Sequence, residues 1–218
     1  MNALDSRFVR VGDCFAHRFS MPGTFRYAVS VLPSSFAAHH HESSGLTITV
    51  TPATDAPQVT HYVTVSAAEG LTASPDRITV SAGDLVVWSP AKSAALGFRV
   101  RGKIAEHIVD SGSMRTESIY THAFGLAGRY RWRDANGSAL KGEINVAAPS
   151  DDVEAWLECL KDGAFVHVRG ERAEPESVEI AVGQTVVWAV ENAPGVTITD
   201  VALLAHGGRS DPDDQAGR

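Results

Sequence analysis

The chain has 218 residues, 44% of them hydrophobic, with 26 acidic against 19 basic side chains and a formal charge of −7. Length and apolar content allow one large or two small domains with a real core, and they exclude wholesale disorder. The charge argues against a nucleic-acid partner, since neutralising phosphates takes clustered Lys and Arg, and two cysteines exclude a disulfide-rich scaffold or a CxxC zinc site.

The opening stretch, MNALDSRFVRVGDCF, lacks an apolar run of signal-peptide length. No later run approaches the length that spans a bilayer. A cytoplasmic location with no membrane partner is therefore expected. CFAHRFSMPGTFRY, from Cys14 to Tyr27, follows, and then FAAHHHESSG, with His39, His40, His41 and Glu42 side by side. GLTITV (45–50) reads as a strand. TPATDAPQ (51–58) is a Pro-rich extended connector. PDRITVSAGDLVVW, from Pro75 to Trp88, alternates apolar and polar residues around a Gly-containing turn, the pattern of two strands.

IYTHAFGLAGRYRW (119–132) and KGEINV (141–146) are further strands, separated by DANGS. Asn136-Gly137 is a favoured tight-turn pair, because both residues tolerate φ > 0. SDDVEAWLECLKDG (150–163) reads as a linker helix over 149–162. Ser150 is its expected N-cap, and Val153, Trp156, Leu157 and Leu160 lie on one face. PESVEIAVGQTVVW (175–188) is again strand, turn, strand. The tail over 207–218 has no apolar anchor and is expected to be disordered.

Two repeats run through these elements. The Pro75–Trp88 stretch recurs at Pro175–Trp188, an offset of 100, keeping Pro, Gly, both Val residues and Trp. The segment from Cys14 recurs from Ile119, an offset of 105, matching His17 with His122, Phe19 with Phe124, Gly23 with Gly128 and Phe25 with Tyr130. Residues 60–148 hold opening strands followed by closing strands, one contiguous domain. Residues 1–52 hold only closing strands and 163–205 only opening strands. These complementary pieces are expected to join as a circularly permuted second domain, within one chain or between chains.

The landmarks Pro, alternating strand, A-G-D turn and V-V-W, then aromatic-x-His-x-Phe, Gly, Tyr-x-aromatic, loop and G-x-I-x-V, resemble the cupredoxin family. The resemblance implies an all-β fold of two Greek-key, plastocyanin-like sandwiches, and for most of that family one-electron transfer at copper. A type 1 site takes two imidazoles and a thiolate with a weak axial thioether. By that resemblance the first-His place falls at Gly97 or Phe98 in the middle unit and around Thr197 in the permuted one. The Cys place falls on Asp134 and Val29, the second His near Gly137 and the Met near Leu140. No thiolate stands at either Cys place, so type 1 copper is rejected and no cofactor is expected.

What chemistry remains is sparse. His39, His40 and His41 occupy the permuted unit's version of the ligand loop and are the candidate metal site, for copper or zinc. Neighbouring side chains diverge along an extended strand, so a solvated polar loop is the competing reading. His17 and His122 recur before Phe and suit packing or hydrogen bonding. His61, His107, His167 and His206 stand alone. Cys14 takes the place of Ile119 and reads as a small strand residue, and a Cys14–Cys159 bridge is disfavoured in a reducing compartment. Trp88 and Trp188 are expected in the core, and Asp110, Glu117 and Asp134 at the surface. No catalytic motif is present. The expectation is a non-catalytic binding or assembly module with a protein partner or self-association. The alternative is a copper-handling protein using His39 to His41.

Overall fold

The computed structural model describes residues 4–31, 42–66, 70–92 and 97–205. The candidate ligands His39, His40 and His41 and the 207–218 tail lie outside them. The described residues are mostly strand, as the alternating sequence requires. The first half of the chain forms β1 (Asp13–Arg18), β2 (Gly23–Val31), β3 (Glu42–Thr51), β4 (Thr60–Ser66), β5 (Thr72–Ser74), β6 (Arg77–Ser81), β7 (Leu85–Pro90), β8 (Phe98–Ile104) and β9 (His107–Asp110). The second half forms β10 (Ser118–Ala123), β11 (Gly128–Asp134), β12 (Lys141–Ala147), α1 (Val153–Cys159), β13 (Ala164–Arg169), β14 (Arg172–Glu174), β15 (Ser177–Ala181), β16 (Thr185–Asn192), β17 (Ile198–Asp200) and α2 (Val201–Ala205).

The described residues form three sheets: β14-β13-β16-β10-β1-β7-β4-β5, β15-β12-β11-β17 and β6-β3-β2-β8-β9. In β2, Phe25, Tyr27 and Val29 are buried while Arg26 is exposed, the period of two that covers one face. That inner face meets the large sheet through aromatic rings. Trp88 contacts Phe25 and Tyr27 edge-on at 6.4 and 5.7 Å, and Trp188 meets Trp132 edge-on at 6.0 Å. Both Trp88 and Trp188 are fully buried, as their recurrence implies. The repeated turns place Gly83 and Gly183 at φ +106 and +94, where a Cβ would be strained.

The domain boundaries differ from the sequence expectation. β6, β7 and β8 pair with β3, β1 and β2, and β4 joins them through β7, whereas β15 and β16 pair with β12 and β10, and β13 joins them through β16. Each set of opening strands therefore joins the closing strands that precede it in the chain, and the contiguous unit over 60–148 is divided between the halves. β1 and β10 occupy matching repeat positions, so the sequence does not by itself say which of them flanks β7. The connection from β3 to β4 is short, and a short tether favours the nearer partner. The helix expected as a linker between domains instead joins β12 to β13 within the second half. Its N-cap is Asp152, accepting from Ala155 N at 3.0 Å, while Ser150 Oγ accepts from Asp152 N. Trp156 donates its indole N–H to Val182 O at 2.9 Å, but Val153 and Leu157 are exposed. A helix of two turns presents too narrow a face to bury all four.

The halves meet at β1 and β10 in a local two-fold arrangement. Asp13 faces His122, Phe15 faces Tyr120, and His17 faces Ser118. At the repeat offset of 105, Asp13 corresponds to Ser118 and His17 to His122. The outer two pairs are thus the same pair twice. The preceding arms follow the same rule. Ser6 Oγ accepts from Ile198 N at 2.9 Å in the second half, and Ser111 Oγ accepts from Val100 N at 3.0 Å in the first. Leu4, Asp5 and Ser6 correspond to Val109, Asp110 and Ser111, and all six are buried. Each repeat lays the arm before its first strand on the other repeat's small sheet.

Candidate functional site

The positions that the cupredoxin resemblance assigns to copper are brought together in pairs. Val29 and Phe98 lie on the paired strands β2 and β8, and Asp134 meets Thr197. Val29 and Phe98 are buried apolar side chains. Asp134 is buried and accepts from Thr197 N at 2.8 Å and Asn136 N at 3.1 Å. Asn136 Nδ2 donates to Thr197 Oγ1 at 3.0 Å, and Thr197 Oγ1 donates to Gly112 O at 2.7 Å. A carboxylate occupied by backbone N–H groups holds a loop and is poorly placed to bind a metal. Leu140 is core, and Gly137, at φ +87, ends a turn centred on Ala135 and Asn136. Of the pair Asn136-Gly137, only the glycine has positive φ. These residues do not fit a copper centre. Among the described residues no three His, Cys, Asp or Glu side chains cluster as metal ligands.

The built site lies elsewhere, where the two repeats meet. His122 Nδ1 and Asp13 Oδ1 are 2.6 Å apart and almost wholly buried, and Asp13 Oδ2 accepts from Arg10 N at 3.0 Å. Burial pushes the Asp13 carboxyl up, opposed by its hydrogen bond to His122. The fully buried Tyr120 hydroxyl is raised well above its usual range, first by burial and then by the Asp13 charge. On the other side of the local axis Ser118 replaces the aspartate, and His17 Nδ1 lies 3.3 Å from Ser118 Oγ. Burial lowers the His17 imidazole to about 4, so it is neutral at pH 7. Phe19 and Phe124 stand edge-on to these imidazoles at 5.0 and 4.6 Å. The repeated His-x-Phe thus serves packing on both sides, while its electrostatics differ.

A cavity of about 740 Å³ opens on the His17 side, lined by His17, Phe19, Glu106, His107, Arg115 and Glu117 and by Ala193 and Pro194. It takes in β1, the β8–β9 hairpin, the segment before β10 and the loop after β16. Glu117 has φ +72, and its repeat counterpart is Gly12 at φ +94. A left-handed backbone strains a residue with a Cβ, and such strain is concentrated at functional walls. Ser20 Oγ donates to Glu117 Oε2 at 2.9 Å, and Arg18 N donates to Glu117 O at 3.0 Å. The cavity therefore presents a neutral imidazole, an anchored carboxylate, a second imidazole and a guanidinium over an apolar wall.

The remaining candidates have local roles. His61 Nε2 is 3.0 Å from Asp84 Oδ2, and His167 Nδ1 is 2.5 Å from Glu191 Oε1. Cys14 and Cys159 are free thiols, with Cys14 pushed up by burial. Asp110 is buried against Arg99, with bonds of 2.7 and 2.6 Å, so neither it nor Asp134 lies at the surface as expected. The cavity was missed because its walls come from four separated segments; the one local trace is a Glu aligned with a turn glycine. No helix of the described residues is long and apolar enough to cross a membrane. No family model, curated protein or solved structure matches the chain.

Proposed function

We propose that the protein is a non-catalytic binding module built from two cupredoxin-like Greek-key units without type 1 copper, and that its ligand sits in the junction cavity. In this reading each unit is permuted, with closing strands preceding opening strands. The observation that carries the proposal is the cavity of about 740 Å³ beside His17, on the side of the junction where Ser118 takes the place that Asp13 holds beside His122. Mixed polar groups over an apolar wall suit a small polar molecule. An imidazole that titrates near 4 is a weak proton acceptor at neutral pH, which favours holding a ligand over transforming it.

The test is a ligand-observed NMR screen of small polar fragments against the full chain and an Ala193→Trp variant that fills the cavity. Fragments should bind the parent and lose binding in the variant while its Tm stays within a few degrees. Hits that ignore the plug, or no hits at all, would remove the cavity as the binding site. The copper or zinc alternative rests on His39, His40 and His41. Metal content after dialysis, compared with a variant carrying alanine at all three, decides it separately.

A further inference from the structure

The outer face of the first small sheet carries an unbalanced row of cations. Arg77, Thr47, Arg26, Lys103 and Ile108 are register neighbours across β6, β3, β2, β8 and β9. Arg26, Arg77 and Lys103 are exposed, and among the described residues none has a carboxylate within ion-pairing distance. Arg101, two residues before Lys103 on the same face, lies 3.5 Å from Asp110 Oδ2, an oxygen already held by Arg99 at 2.6 Å. Like charges directly opposite each other on neighbouring strands destabilise a sheet.

The second repeat places a carboxylate within the same row. There Ser177, Glu143 and Arg131 are register neighbours, in the places of Arg77, Thr47 and Arg26. Glu143 also pairs with Arg129 and is held below the usual carboxylate range, first by that hydrogen bond. One fold position therefore holds a carboxylate in one repeat and Thr47 in the other, within a chain of net charge −7. A depression of about 280 Å³, lined by Arg26, Arg101, Gly102, Lys103 and Ile108, lies in the cationic copy.

We propose that this face binds a short oligophosphate, a ligand with two or three adjoining phosphate groups. Guanidinium groups bind phosphate oxygens in a bidentate manner, and Lys adds a point charge. The depression gathers Arg26, Arg101 and Lys103 around one phosphate. Arg77, two strand spacings or roughly 10 Å from Arg26, reaches a second. The row is too short, and the chain too acidic overall, to track a nucleic-acid backbone. This site is separate from the junction cavity and stands or falls independently of it.

Calorimetric titration of the full chain with inorganic tripolyphosphate at low and physiological salt tests the proposal. Saturable one-to-one binding is expected, weakening as salt screens the cations. Arg26→Gln with Lys103→Gln should weaken it at least tenfold, and Arg131→Gln in the second repeat's row should not. Thr47→Glu, which restores the carboxylate of the second repeat, should also abolish binding, and it decides the matter if the double variant loses its fold. Absence of saturable binding, or an equal loss in Arg131→Gln, overturns the proposal. Tighter binding of duplex DNA than of tripolyphosphate would overturn it as well, reassigning the face to nucleic acid.

Discussion

His17 should make this protein sensitive to mild acid. Its imidazole titrates near 4 in the folded chain against 6.5 when solvated, with burial as the cause. Between those values the unfolded chain binds a proton and the folded chain does not. The contribution is therefore fully present above about pH 6.5 and is lost as pH falls through 4. At 1.36 kcal/mol per pKa unit the loss is about 3 kcal/mol, a large part of a typical domain's stability. Other ionisable groups also contribute to the acid response, so the comparison must isolate His17. Urea unfolding at several pH values between 7.5 and 4 should be run on the parent and on His17→Asn, which keeps a polar atom near Ser118 Oγ. The parent should lose about 3 kcal/mol more than the variant across the window. Parallel curves would mean that His17 is hydrated or already charged, and the neutral cavity wall would be wrong.

Asp13→Asn leaves His122 beside a neutral group deep in the sheet and should cost about 3 kcal/mol, whereas Ser118→Ala on the other side of the axis should cost about 1 kcal/mol; thermal unfolding compares them. A Cβ at Gly102 would stand 2.4 Å from Arg26 O and 2.5 Å from Tyr27 Cβ, so Gly102→Ala should lose about 3 kcal/mol, whereas Gly125→Ala, with nothing within 4 Å, should stay within about 0.5 kcal/mol. Glu117→Gly should be more stable than Glu117→Ala by about 1 kcal/mol, because only glycine accepts φ +72 without strain, and equal Tm values would contradict that backbone.

Much of the strand content was legible because alternation and turn glycines are local signals. PDRITVSAGDLVVW announces two strands and a turn, and its copy at Pro175 announces them again. Which strands pair was not legible, because the repeat that reveals the halves also makes β1 and β10 interchangeable as neighbours of β7. Burial of Asp110 and Asp134 was likewise hidden. Both carboxylates find their partners through the fold, Asp110 at Arg99 and Asp134 at Thr197 N. Sequence reading assigned them by residue type, which defaults acids to water. The cationic row was invisible for a related reason. Arg26, Arg77 and Lys103 are far apart in the chain and become neighbours only through strand register.

The local two-fold explains why function can reside where the repeats differ. In a symmetric pair of identical units, any residue placed at the Asp13 position would appear on both sides of the axis. Both imidazoles would then face a carboxylate, or neither would. Covalent linkage removes that constraint, since Asp13 and Ser118 can vary independently. The Asp13–His122 side then holds the sheet together through a buried, hydrogen-bonded carboxyl–imidazole pair. The His17 side carries only a 3.3 Å contact to a hydroxyl, burial keeps its imidazole neutral, and the cavity adjoins it. The same logic governs the small sheets, where one row holds Glu143 and the other has Thr47 in its place. Exchanging Asp13 and Ser118 tests this account directly. The double variant Asp13→Ser, Ser118→Asp keeps composition and net charge, and should move the carboxyl–imidazole pair to His17. The acid sensitivity assigned to neutral His17 should then fall. If the pH dependence of the exchanged chain is unchanged, the two sides are set by their surroundings rather than by the residue facing each imidazole.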